Sequence, residues 1–193
     1  YNRGLMEMIA HYQPRGMGDW FQSFVAYLRA SLAGDKALWF LVVNARVYFA
    51  GVEAWFFPRI VSALAGIFTL FLTFRFALRF FQSRRIAWLA AVFLAVLPSH
   101  VFYSRLGLQE ALSTLLVLAG FYLYLFPARF GWRTFAAGIL LAAAFFSNYR
   151  LIILPVLVVF IETWQAFSSR APWQLRKGIW TTLVFFSCVF LIG

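Results

Sequence analysis

From Phe56 onward the chain consists of long apolar runs without alternation, at about 57–81, 86–103, 109–126, 134–147, 150–168 and 178–193. Lipid offers backbone N–H and C=O groups no partner, so only helices or a closed barrel can cross it. Barrel strands alternate apolar and polar residues. These runs do not alternate, so helices are the remaining solution. Composition points the same way: 64% of the 193 residues are hydrophobic and only 12% charged, against about 45–50% and about 25% in a soluble domain. So much apolar surface cannot be hidden inside a chain of this size. The expected fold is therefore all-α, a polytopic transmembrane bundle of about six spans with amphipathic interfacial helices.

A net charge of +11, from 17 Lys and Arg against 6 Asp and Glu, would suit a nucleic-acid binder if the bases formed a stripe on a polar fold. Instead they sit at the ends of apolar runs, where cytoplasmic loops collect them. Membrane lipids are the expected partners, and nucleic acid is not. Arg75, Arg79, Arg84 and Arg85 lie at the first connection, Arg129 and Arg133 at the third, and Arg170, Arg176 and Lys177 at the fifth. The second and fourth connections hold only Arg105 and Arg150. That alternation places the odd connections in the cytoplasm and the even ones outside.

Residues 1–54 are less hydrophobic and read as an extracytoplasmic loop ahead of a transmembrane core over 55–193. Within them Trp20, Phe21, Phe24, Val25, Leu28 and Leu32 recur at helical spacing, which predicts an interfacial helix over 19–32. A second apolar run, 37–49, is too short to span and reads as re-entrant or interfacial. The chain opens at Tyr1 and stops at Gly193 inside an apolar run, which reads as a piece of something longer.

The even connections carry polar groups that anchoring alone does not require. Arg59 lies beside Pro58, then come His100, Tyr103, Arg105, Gln109 and Glu110, and later Asn148, Tyr149 and Arg150. Arginine suits a phosphate at the membrane surface because its planar fork bonds two oxygens and keeps its charge. A carboxylate near the bilayer is costly and tends to be functional or paired. The plainer readings are arginines snorkelling to headgroups and a local bridge between Arg105 and Glu110 across Gly107. With one Cys, two His and no His-carboxylate spacing, no metal site is legible.

Three stretches, FPRIVSALAG with Arg59, LPSHVFYSR with Tyr103 and Arg105 followed by Glu110, and GILLAAAFFSNYR ending at Tyr149 and Arg150, resemble the membrane core of the C-type glycosyltransferases. The likeness covers about 57–165 and is nearest to the bacterial protein-mannosyltransferase-like and aminoarabinose-transferase-like enzymes. It implies a bacterial inner-membrane enzyme that takes a sugar from a polyprenyl phosphate. Arg59, Tyr103, Arg105, Glu110, Tyr149 and Arg150 would bind substrate, with Arg150 standing where the family usually has a lysine. The lipid-linked sugar is a substrate; no cofactor is certain from the resemblance, and a need for a divalent metal is left open.

The family's catalytic acid, commonly an Asp-Glu pair after the first span, is expected upstream of Tyr1. Asp19 and Glu53 are the in-chain substitutes. The alternative from a different class is a non-catalytic accessory or structural subunit, a degenerate relative packing against other membrane subunits. A transporter is disfavoured, since no inverted repeat or matched pair of broken spans is visible.

Overall fold

The computed structural model describes residues 25, 38–39, 41–42, 56–126, 131–169 and 172–192. The expected interfacial helix over 19–32, the run over 37–49, and Asp19 and Glu53 fall wholly or mostly outside these residues. Among the described residues all regular structure is helical.

Helix α1 spans Phe57–Phe81, with Pro58 in its first turn, where its missing N–H costs no hydrogen bond. Its buried residues are small or polar: Pro58, Ser62, Ala65, Gly66, Thr69 and Ala77. Ile67, Phe68 and Phe71 on the other faces are exposed. Small residues inside and large apolar ones outside invert the soluble pattern and suit a helix whose surroundings are lipid. Gln82, in a left-handed conformation, ends the helix. The Ser83 hydroxyl then accepts the Ile86 N–H and opens α2, Arg84–Val96.

The apolar run over 86–103 is not one straight helix. Proline restricts the residue before it to extended backbone, and Leu97 accordingly sits at φ −65°, ψ 119°. The run breaks there into α2 and α3, Pro98–Arg105, bent by 59°. Helix α4 spans Gln109–Leu125 and α5 spans Trp132–Ser147. A 3-10 turn over Tyr149–Ile153 leads to α6, Leu154–Ser169, and α7, Pro172–Ile192.

The bundle is ordered by close contacts. α1 packs on α2, α3 and α4; α4 packs on α5, and α7 packs on both α5 and α6. At one end the Arg79 guanidinium donates to the Phe126 carbonyl at 3.1 Å and lies 5.3 Å from the Phe126 ring centroid, which joins the last turns of α1 and α4. At the other end the Ser62 hydroxyl donates to the Leu108 carbonyl at 3.0 Å. α1 and α4 are therefore parallel. The Phe135–Trp180 and Phe145–Phe185 ring contacts make α5 and α7 parallel as well.

A Cβ at Gly138 would sit 2.9 Å from the Thr181 carbonyl, so this glycine lets α5 and α7 approach backbone to backbone. Tyr124, Leu141, Phe145, Val158 and Phe185 form the centre of the core between α4, α5, α6 and α7.

Among the described residues, α1 is long and apolar enough to cross a membrane, and the bent pair of α2 and α3 is too if it forms one span. The other apolar helical stretches found among the described residues run to 10–17 residues; α4 has 17 residues, about 25 Å against a hydrocarbon core of about 30 Å.

Candidate functional site

Ser62 and Gly107 bring the candidate residues to one end of the bundle. Gly107 has φ +69°, and a Cβ there would lie 3.0 Å from the Arg59 amide nitrogen and 3.1 Å from the Pro58 carbonyl carbon. Only glycine turns the chain at that φ without strain and also fits against the first turn of α1. The turn, between Arg105 at the end of α3 and Glu110 in the first turn of α4, packs against the backbone of Arg59. The Arg59 and Arg105 side chains are exposed at this end.

Next to this turn lies a cavity of about 220 Å3 lined by Ser99, His100, Tyr103, Ser104, Glu110 and Thr114, with Leu94, Leu97 and Ala111. Its carboxylate is only half used. Glu110 Oε1 accepts from the Gln109 amide at 3.2 Å, whereas Oε2 is buried with no hydrogen-bond partner. The plain reading of a local bridge to Arg105 is thus not realised. A buried acceptor left unmet costs about 1–3 kcal/mol, more when charged.

The wall opposite Glu110 is built by close helix approach. The Ser104 side chain packs against Gly66, where any Cβ would overlap its hydroxyl and would lie 3.8 Å from His100 Nε2.

A second, larger cavity of about 760 Å3 shares Leu94, Leu97 and Thr114 with the first. Apart from Ser113, Thr114, Thr69 and Thr73 its walls are apolar, including Phe76, Phe93, Val117, Phe121 and Leu157. Its wall residue Phe93 is 68% exposed, so the cavity reaches the surface of the bundle. Leu151, next in sequence to Arg150, lines it too. Arg150 is exposed, its amide donates to the Asn148 side chain, and Tyr149 stacks on Phe145 with centroids 4.9 Å apart.

Of the six expected binding residues, Tyr103 and Glu110 line the small cavity. Arg59, Arg105, Tyr149 and Arg150 are exposed around the connections and are not part of its lining. The sequence reading did not assign Ser99, His100, Ser104 or Thr114 to a site. His100 carried a signal, a histidine one turn before Tyr103, whereas nothing in spacing marks Thr114 as a wall shared by two cavities. Among the described residues no three His, Cys, Asp or Glu side chains are grouped so as to hold a metal ion.

Comparison with curated proteins and with solved structures found no match. Comparison with protein families did: the dolichyl-phosphate-mannose-protein mannosyltransferase family matches residues 10–193. That match takes in the Gly107 turn between α3 and α4, Glu110, both cavities and nearly the whole chain, so the protein belongs to the dolichyl-phosphate-mannose-protein mannosyltransferase family.

Proposed function

We propose that this chain is the membrane core of an inverting glycosyltransferase that moves a sugar from a polyprenyl phosphate to an acceptor at the extracytoplasmic face. Family membership implies membrane glycosyltransferase activity with a donor of that kind. The observation that carries the finer reading is the pair of cavities. An amphiphile with a long apolar tail and a compact polar head needs an apolar groove meeting a polar pocket, and here they share Leu94, Leu97 and Thr114.

In this reading the tail lies along the groove, and the phosphate sits at its outer mouth within reach of Arg105, Arg59 and Arg150. The acceptor oxygen attacks C1 of the sugar. The bond from C1 to the phosphate oxygen breaks, and the lipid phosphate leaves with the electron pair. The guanidinium groups stabilise the growing charge, and a carboxylate takes the acceptor's proton. Asp19 and Glu53 are the in-chain candidates for that base. Tyr103, Glu110 and Tyr149 contact the donor.

Filling the groove tests this reading. Ala90 is a groove wall residue on α2, and Ala90→Trp is expected to raise the KM for a long-chain polyprenyl-phosphate sugar about tenfold or more, as loss of several buried CH2 groups at ~0.8 kcal/mol each would do. A short-chain, water-soluble donor should be used equally well by both proteins. Equal KM values for the long-chain donor would refute the groove assignment.

Orientation is tested separately in a protein with Cys188 replaced. With six spans and the basic connections inside, a cysteine at Leu106 reacts with an impermeant maleimide added to intact cells, and one at Gln82 does not. The opposite labelling pattern would invert the proposed face.

A further inference from the structure

The small cavity is chemically unlike the rest of that end of the protein. Arg59, Arg105 and Arg150 surround it in sequence, yet its lining contains no Lys or Arg and one carboxylate, Glu110. A phosphate would meet a negative wall there, and a lipid tail would strand six polar residues. What the lining can satisfy is a small, neutral, hydroxyl-bearing group. The volume of about 220 Å3 corresponds to roughly seven waters at about 30 Å3 each, which accommodates one sugar ring.

Two buried polar atoms of this lining have no hydrogen-bond partner, Glu110 Oε2 and the Ser104 hydroxyl, and of these only Glu110 Oε2 belongs to a carboxylate. Its neighbour Oε1 is already held by Gln109, and the Glu110 carbonyl accepts from both Ser113 and Thr114, so the residue is fixed in place before any ligand arrives. A carboxylate held this way contributes most when a donor reaches its free oxygen, because hydrogen bonds to charged acceptors are stronger than neutral ones and its orientation is already set.

We infer that this cavity is the monosaccharide subsite, and that Glu110 Oε2 accepts a hydrogen bond from one hydroxyl of the donor's sugar, making Glu110 a residue that discriminates between sugars. The inference rests on the donor reading above, and it divides the donor between two chemistries. The arginines outside take the phosphate, and the acidic pocket takes the sugar. The site rejects a sugar lacking that hydroxyl because the carboxylate is then left buried and unpaired.

The test uses the full-length protein in proteoliposomes with a polyprenyl-phosphate sugar that it transfers and a set of analogues each lacking one hydroxyl. Wild-type kcat/KM is expected to fall about tenfold or more for one analogue. That penalty should shrink to about threefold in Glu110→Gln, which keeps the shape and a neutral acceptor, and vanish in Glu110→Ala. If Glu110→Ala does not fold, the Gln variant alone decides the matter by the size of its penalty.

The same penalty in wild type and in the Gln variant, or no sensitivity to any hydroxyl in a protein that does transfer the sugar, overturns the inference and leaves the cavity to water. Failure to bind or transfer any polyprenyl-phosphate sugar would instead overturn the donor reading, and the inference with it.

Discussion

Arg105→Ala is expected to lower sugar transfer by about 100-fold or more while leaving the protein folded. Removing one preorganised donor from a developing oxyanion costs about 10²–10³ in rate, and a guanidinium at the end of α3 is the group best placed for that role in the proposed arrangement. The side chain is exposed, so no buried partner is orphaned. Its other contribution, a positive charge at the C-terminal end of a helix, is worth only about 0.3–1 kcal/mol. Arg105→Lys should recover part of the loss, since lysine supplies charge without the two-pronged fork. Initial rates with a radiolabelled polyprenyl-phosphate sugar, beside melting curves of the same preparations, separate chemistry from stability. A threefold effect or less would remove Arg105 from the phosphate site and favour the accessory-subunit reading.

Gly107→Val should destabilise the protein by about 3 kcal/mol, combining the cost of ~1–2 kcal/mol for a left-handed residue with a Cβ and ~1–3 kcal/mol for overpacking. The clash is with backbone, at the Arg59 nitrogen and Pro58 carbonyl carbon, so rotation of a side chain cannot relieve it. Leu106→Val, one residue earlier and 43% exposed, is the control and should stay within about 0.5 kcal/mol. Unfolding in detergent measures both. A Gly107→Val protein as stable as wild type would mean that the turn does not hold α1 against α4.

These cases show what composition and spacing reveal. The all-helical fold followed from apolar runs that no soluble core could absorb, and the ends of α1 and α4 fell where the sequence reading put them. The alternating charge counted Arg79 as a loop base, yet its guanidinium also holds the Phe126 carbonyl. A count of charges does not distinguish a loop from a clamp.

At the site, Glu110 stood out because a carboxylate near lipid is costly. Thr114 and Ser104 did not, because their roles depend on which helices meet: Gly66 makes room for Ser104 only once α3 folds back on α1. The break at Leu97 was readable in principle from Pro98, but hydropathy continues smoothly through it, and a reading by run length passes over the bend.

That bend sets a depth. Eight residues of straight helix after Val96 would rise about 12 Å; turned by 59°, they rise about half as far. Ser104 thereby meets α1 at Gly66, eight residues in from Pro58, or about 12 Å along the helix axis. The polar pocket is therefore recessed below the rim formed by the start of α1 and the Gly107 turn. Anything arriving from that side has to pass the rim before it meets Ser104 and His100, so depth, as much as charge, decides which part of an approaching molecule reaches the floor.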